Sequence, residues 1–216
     1  DDPAAVVRVT YKLFIVIVTA MALAVTALFY LAPLPEQVRE VLYFVNYVAA
    51  VILLFDVGVR FLRAPNKTKY LLPLGLLDLV GSLPGAPYLR LLRLPSLLLS
   101  LRELRKTTSE ELIAVAREQL AESTLLTGIA VVFLVATVGG MAIVLVEAPV
   151  EGSNIKTGAD ALWYAIVTIS TVGYGDRYPV TLLGRILGSG MIMVGVGIFS
   201  VLTGFISTKF LAHRRA

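Results

Sequence analysis

Long runs of apolar residues constrain this 216-residue chain more than any other feature of its sequence. A bilayer core about 30 Å thick needs about 20 helical residues to cross it. Hydrophobic residues make up 57% of the chain and charged residues 16%, whereas soluble domains contain about 45–50% and about 25%. Because the apolar excess is concentrated in the runs, the sequence predicts an all-α membrane protein.

Six apolar segments predict six transmembrane helices. Proline residues follow the first two segments, Pro73 interrupts the third, and the fourth carries arginines. A further apolar segment, residues 159–169, is too short to cross a bilayer and predicts a re-entrant helix. The six predicted spans are residues 13–31, 41–62, 70–83, 88–104, 125–146 and 181–211.

The distribution of Lys and Arg predicts the orientation of the spans. If both termini are cytoplasmic, most basic residues outside the spans fall in inner segments, and the opposite topology would invert this bias. Cytoplasmic loops then account for the net charge of +4, so no nucleic-acid partner is expected. We predict a multi-pass protein of the cell inner (plasma) membrane, in contact with lipid, with cytoplasmic N and C termini.

A break in the apolar pattern near Thr107 divides the chain into modules. Residues 1–106 predict a four-helix domain. Residues 107–123 predict an amphipathic linker helix, because apolar and charged residues alternate there at helical spacing. Residues 124–216 predict a two-helix domain that consists of an outer helix, the re-entrant helix, a loop and an inner helix.

The strongest functional signal follows the re-entrant helix, in the segment Thr171-Val172-Gly173-Tyr174-Gly175. Backbone carbonyls can replace the water shell of K⁺ only if successive residues direct them at one axis. Such a backbone alternates between right- and left-handed conformations, and glycine adopts the left-handed one at little cost. An ordinary glycine-rich turn is the alternative, but the position between a re-entrant helix and a glycine-rich span favours a selectivity filter.

The predicted filter has consequences for assembly and ligands. One chain supplies a quarter of each ring of oxygens, so the sequence predicts a homotetramer around a central pore. No cofactor is expected beyond the permeant K⁺ ions. The predicted K⁺ sites are Thr171, Val172, Gly173 and Tyr174.

With these residues the chain resembles the six-span, voltage-gated-type potassium channels of prokaryotes over nearly its whole length. Residues 160–168 match the pore helix of that family, which usually has a Trp-Trp pair where this chain has Trp163 and Tyr164. The resemblance implies that both aromatic residues support the filter and that Trp163 donates a hydrogen bond to Asp176, since an indole N–H can only donate. An anchor at the membrane interface is the alternative role for Trp163.

The sixth span is rich in glycine. By position, Gly195 matches the gating-hinge glycine of the family, and Gly204 lies where animal voltage-gated channels carry a Pro-x-Pro bend. The resemblance therefore implies hinges at these two residues and an intracellular gate near residues 199–206. Close helix packing through small residues is the alternative explanation for such glycines.

Arg90 and Arg93 lie three residues apart in the fourth apolar segment. Charges inside a membrane are costly and are usually functional. The acids Asp56 and Asp78, in the second and third spans, are candidate counter-charges. The resemblance implies that residues 1–106 form a voltage-sensor-like domain in which Arg90 and Arg93 are the gating charges. Weaker candidates continue the series at Arg102 and Arg105.

Two charges in each of four subunits supply at most about 18 kcal/mol per 100 mV. Voltage-dependent or voltage-modulated gating is therefore expected. The alternative is a vestigial sensor, in which both arginines form static ion pairs with Asp56 and Asp78. Similar short sensors occur in cyclic-nucleotide-regulated bacterial channels, whose ligand domain would follow residue 216 as a cytoplasmic regulatory domain.

Other classes of protein are alternatives to a potassium-selective channel. A weakly selective cation channel is the nearest alternative, because the surroundings of a filter also affect its selectivity. Potassium uptake transporters carry four degenerate pore loops in one chain, whereas this chain has a single intact one. An enzyme is not expected, because the sequence has no cysteine and no recognisable nucleophile–base pair.

Overall fold

The computed structural model describes residues 3–64, 66–67, 74–105 and 120–213. These parts of the chain contain helices and no strands. The helices are α1 (Pro3–Leu31), α2 (Glu36–Arg63), α3 (Leu76–Val80), a 3-10 helix (Pro87–Arg93), α4 (Leu94–Arg105), α5 (Leu120–Glu147), α6 (Gly158–Ile169) and α7 (Leu182–His213).

Four helices in the described ranges are long and apolar enough to cross a membrane. They are Tyr11–Leu31, Glu36–Arg63, Leu126–Glu147 and Leu182–Gly204, and they match the first, second, fifth and sixth predicted spans. Helix α6 is apolar but has only 12 residues, too few to cross a bilayer. Residues 70–73 of the third predicted span and residues 107–119 of the predicted linker helix lie outside the described residues.

Proline determines where several helices begin and end. Pro33 follows the end of α1 at Leu31, and Pro35 directly precedes the start of α2 at Glu36. Both prolines lie outside the helices, because proline lacks the N–H that a helix interior needs. Pro95 lies in the first turn of α4, where a missing N–H leaves no hydrogen bond unmade. Directly before Pro95, at Leu94, the 3-10 helix changes to the α-helix α4.

The chain divides into two compact units. The first comprises Asp1–Pro33 and Tyr43–Arg117, and the second comprises Leu34–Leu42 and Glu118–Ala216. In the first unit, α1 packs against the 3-10 helix and α4, and α3 packs against the 3-10 helix. In the second unit, α5, α6 and α7 pack on one another. The sequence did not predict that the first turns of α2 group with the second unit.

The first turns of α2 contact the start of α6 within the second unit. The Gly158 N–H donates to Glu40 Oε2 at 2.8 Å. A Cβ at Gly158 would lie 2.6 Å from the Gln37 carbonyl oxygen and 2.7 Å from the Val41 nitrogen. Since backbone atoms cannot yield as a flexible side chain does, only glycine fits at this contact, which holds the first turn of α6 in place.

Candidate functional site

Helix α6 starts from a capping box. Thr157 Oγ1 accepts the Asp160 N–H at 3.1 Å, and Asp160 Oδ2 accepts the Thr157 N–H at 3.1 Å. Burial raises the pKa of Asp160, but hydrogen bonds from Lys156 and Thr157 and the charge of Arg177 outweigh it and hold the pKa below its usual value. The ionised carboxylate is also stabilised by the positive end of the helix dipole.

The backbone alternates in handedness after α6 ends. The φ angle is 59° at Thr171, 60° at Gly173 and 78° at Gly175, and it is not positive at the two residues between them. Thr171 is the one non-glycine residue with positive φ in the described part of the chain. Such a conformation costs about 1–3 kcal/mol and persists only where the surroundings impose it. The alternation expected from the sequence is therefore present.

Hydrogen bonds to the end of α6 hold the inner part of this segment. The Val167 carbonyl accepts the N–H groups of Val172 at 3.1 Å and Gly173 at 3.3 Å, and the Thr171 N–H donates to the Thr168 carbonyl at 3.0 Å. The segment is thus continuous with the last turn of α6, whose position determines where residues 171–173 lie.

Side chains of α6 contact the outer part of the segment. Trp163 Nε1 donates to Asp176 Oδ2 at 2.8 Å, which is the hydrogen bond that the family resemblance implies. The Trp163 ring also stacks on Tyr174, with centroids 5.8 Å apart and planes 3° from parallel. Residues 171–176 are nevertheless exposed in the single chain, with Val172 53% and Tyr174 68% exposed.

The neighbouring aromatic residue lies on the other side of α6. Tyr164 is buried, and a Cβ at Gly188 would collide with its hydroxyl group. Tyr164 therefore packs α6 against α7, whereas Trp163 contacts the segment that follows α6. Any support that Tyr164 gives to residues 171–175 acts through the packing of α6.

The two candidate hinge glycines of α7 differ in their surroundings. A Cβ at Gly195 would collide with the backbone of Ile169, at the end of α6, whereas a Cβ at Gly204 has open space. Gly195 thus allows α7 to approach the end of α6 closely, as in small-residue packing. Hinge roles for both glycines stay predictions.

Sequence reasoning missed Glu147, at the end of α5. Its buried carboxylate accepts four hydrogen bonds, which come from the Ser153 hydroxyl at 3.0 Å, the Val180 N–H at 3.1 Å, and the Thr181 N–H and hydroxyl at 3.0 and 2.7 Å. These bonds offset the cost of burying the charge and join the end of α5 to the start of α7. An acidic residue at the end of an apolar run was the available signal.

Arg93, in the first unit, lies between both predicted counter-charges. Its Nη2 is 3.4 Å from Asp56 Oδ2 and its Nε is 3.7 Å from Asp78 Oδ1. Nη1 donates to the Ser82 hydroxyl at 3.1 Å. Arg60 also pairs with Asp56 and with Asp78. Two arginines and two carboxylates thus form a cluster that balances its own charge. Asp56, Asp78 and Arg93 are buried, and Arg60 is partly exposed.

Arg90 does not belong to that cluster. It is buried, and its Nε donates to Asn46 Oδ1 at 2.7 Å while its Nη2 donates to the Asn46 carbonyl at 2.5 Å. Static ion pairs of both arginines with Asp56 and Asp78 were one possibility from the sequence. For Arg90 this is corrected by its contacts, because its partner is the uncharged Asn46. A lone asparagine inside an apolar span was the signal that could have identified it.

The weaker candidate charges lie in α4. Arg102 is exposed, and the side chain of Arg105 lies outside the described residues. The neighbouring Glu103 forms an exposed ion pair with Lys12 at 2.7 Å. The structure thus brings the predicted filter residues together in the second unit and Arg93 with its acids in the first, and it leaves Arg102 outside the charge-balanced cluster.

Part of the second unit is similar to a known family. Residues 124–212 match a family described as "Ion channel". The chain is 33% identical over 185 residues to a voltage-gated potassium channel of Aeropyrum pernix, covering 78% of this chain and 60% of that protein. It is 36% identical over 116 residues to a cyclic nucleotide-gated potassium channel of Rhizobium etli, covering 53% of this chain and 32% of that protein.

The match extends to animal proteins over a shorter region. The human potassium voltage-gated channel subfamily KQT member 4 is 38% identical over 58 residues, covering 27% of this chain and 8% of that protein. The chain thus spans less than two thirds of the length of each of these relatives. The family match includes α6, the segment 171–175 and α7, whose geometry is described above. Residues 124–212 of this chain therefore match the ion channel family, and they contain the segment whose backbone alternates in handedness.

Proposed function

We propose that the chain is one subunit of a potassium-selective channel, in which K⁺ passes down its gradient through a central pore. The observation that carries the proposal is the alternation of left-handed φ at Thr171, Gly173 and Gly175. This alternation lets successive carbonyls face one axis, where they can replace the water shell of K⁺. The named relatives support the choice of K⁺, since they are potassium channels, and none of them is named as an enzyme.

The channel is a homotetramer, with residues 171–175 of four copies forming the selectivity filter. Exposure of the segment in a single chain supports this, because large apolar side chains such as Val172 are half exposed there. Trp163, Tyr164 and Asp176 support the filter. The bound species are K⁺ ions at residues 171–174, and no other cofactor takes part.

Each subunit crosses the cell membrane six times, with both termini in the cytoplasm. Four of the spans correspond to the long apolar helices. The remaining two correspond to the third and fourth apolar segments, which contain α3 and the 3-10 helix with α4. The bias of Lys and Arg toward the inner segments supports the orientation.

Reversal potentials of the purified protein in planar bilayers test K⁺ selectivity. With unequal K⁺ concentrations on the two sides and Na⁺ making up the difference, we expect the current to reverse near the K⁺ equilibrium potential. A reversal potential near zero would instead show comparable permeabilities and favour the weakly selective cation channel. The same preparation without protein is the control for leak.

The buried arginines support a second part of the proposal, in which voltage modulates opening. Arg93 is held by two carboxylates, whereas Arg90 has an amide partner. Among the described residues, each arginine has one buried nitrogen without a hydrogen-bond partner. A charge held by a neutral group is easier to displace than one held by two ion pairs. Arg90 is therefore the gating charge that moves most readily.

Replacing Arg90 by glutamine is expected to flatten the relation between conductance and voltage. Removing one of two buried charges per subunit halves the maximum electrical work, from about 18 to about 9 kcal/mol per 100 mV. The control is Arg102→Gln, which removes an exposed arginine and is expected to change the slope less. A wild-type conductance independent of voltage would eliminate both buried arginines as gating charges and favour opening by a cyclic-nucleotide-binding domain after residue 216.

A further inference from the structure

Residues 176–180 lie directly outside the proposed filter and lack regular structure. In this fully described stretch, no backbone–backbone hydrogen bond holds the chain. The left-handed conformation of Thr171, earlier in the same loop, persists only where the surroundings impose it. Side chains from other segments must therefore hold the outer end of the filter.

Asn154, in the loop between α5 and α6, provides two such contacts. Its Nδ2 donates to the Asp176 carbonyl at 2.9 Å, and its Oδ1 accepts the Tyr178 N–H at 3.2 Å. The side-chain amide thus makes the two hydrogen bonds that a peptide group of a neighbouring β-strand would make in a sheet. A carbonyl can only accept and a backbone N–H can only donate, so the two partners fix the orientation of the amide.

Arg177, the residue between these two contacts, binds back to the same loop. Its Nη1 donates to the Asn154 carbonyl at 2.8 Å, and its Nη2 is 2.9 Å from Asp160 Oδ1. Asn154 therefore holds the backbone around Arg177, while Arg177 holds the backbone of Asn154. Through Asp160 this reciprocal contact reaches the capping box of α6, which also carries Trp163.

We propose that Asn154 is a positioning residue for the filter, which holds its outer end in the conducting conformation and slows its closure during sustained current. The proposal rests on the proposed function, because it assigns a role in conduction. It differs from the role implied for Trp163, which binds the side chain of Asp176, since Asn154 binds the backbone on both sides of Arg177. The amide is specifically required, because a carboxylate of the same shape can accept from Tyr178 but cannot donate to Asp176.

The test is the rate of current decay in planar bilayers at a constant voltage, compared between wild type and Asn154→Asp. Losing one hydrogen bond in each subunit is expected to accelerate the decay by about fivefold or more. Raising external K⁺ should slow the accelerated decay, because ions bound to the conducting conformation stabilise it by mass action. Reversal potentials at the start of the current and the thermal midpoint of the protein should stay near wild type.

Two further variants make the test specific. Asn154→Ala removes both contacts and should also accelerate the decay, whereas Glu151→Gln, an exposed change in the same loop, should leave it unchanged. Wild-type decay in Asn154→Asp, or faster decay that external K⁺ does not slow and that accompanies a lowered thermal midpoint, would overturn the proposal. Absence of selective current from the wild type would contradict the proposed function itself, and the inference with it.

Discussion

Replacing Gly173 by alanine is expected to abolish potassium-selective current, whereas replacing Gly152 by alanine is expected to preserve it. Gly173 has φ 60° and Gly152 has φ 84°, and a Cβ at either position would meet nothing within 4 Å in the single chain. An L-residue in the left-handed region costs roughly 1–2 kcal/mol, so both variants introduce similar strain. Only Gly173 lies where a carbonyl must face the proposed pore axis.

The measurement is K⁺ efflux from liposomes, followed by reversal potentials for any variant that conducts. Over four subunits the strain at residue 173 amounts to roughly 4–8 kcal/mol, which the chain can relieve by turning the carbonyl away from the axis. At residue 152 the same relief changes only the loop between α5 and α6. Wild-type selectivity in Gly173→Ala, or equal loss of current in Gly152→Ala, would contradict the assignment of the filter.

Replacing Asp56 by asparagine is expected to destabilise the protein by about 3–5 kcal/mol, because it leaves a buried arginine without its balancing charge. Asp56 is 1% exposed and pairs with Arg93 and Arg60. Asparagine preserves the size of the side chain and an acceptor for the Tyr11 hydroxyl, which donates to Asp56 Oδ1 at 3.0 Å. The expected loss of stability therefore comes from the loss of charge balance more than from a change in packing.

Thermal or denaturant unfolding of the full chain in detergent, followed by circular dichroism, measures this effect. The double variant Asp56→Asn/Arg93→Gln restores the balance of charge and should cost less than the sum of its two single variants. Glu103→Gln breaks an ion pair whose side chains are 50% and 61% exposed and should change stability by about 1 kcal/mol or less. If Asp56→Asn costs no more than Glu103→Gln, the charge-balanced cluster does not contribute as inferred.

The long apolar helices and the backbone of residues 171–175 could both be predicted from the sequence. Apolar runs of about 20 residues and prolines such as Pro35 act through local chain properties. They predict the ends of α1, α2, α5 and α7 within a few residues, whereas α1 begins at Pro3 rather than at residue 13. The motif at residues 171–175 likewise predicts its own backbone, since glycines permit the left-handed conformation that the alternation requires. The hydrogen bond from Trp163 to Asp176 was implied by family resemblance.

Partners that are distant in sequence could not be predicted in the same way. Both buried arginines look alike in the sequence, yet Arg93 lies between two acids and Arg90 binds Asn46, 44 residues away. Gly195 and Gly204 look alike in α7, yet only Gly195 lies against the backbone of α6. Such differences arise from which helix faces meet, and no local pattern encodes them.

The sequence by itself determined the membrane class of this protein, most of its long helices and the backbone alternation of the segment 171–175, because hydrophobicity and glycine conformations act locally. Only the tertiary structure decided what holds these parts together. Glu147 binds the start of α7, Asn154 binds the outer end of the segment and Asn46 binds Arg90. Each of these contacts satisfies a polar group that burial or an irregular backbone would leave unpaired, and its partner is chosen by packing.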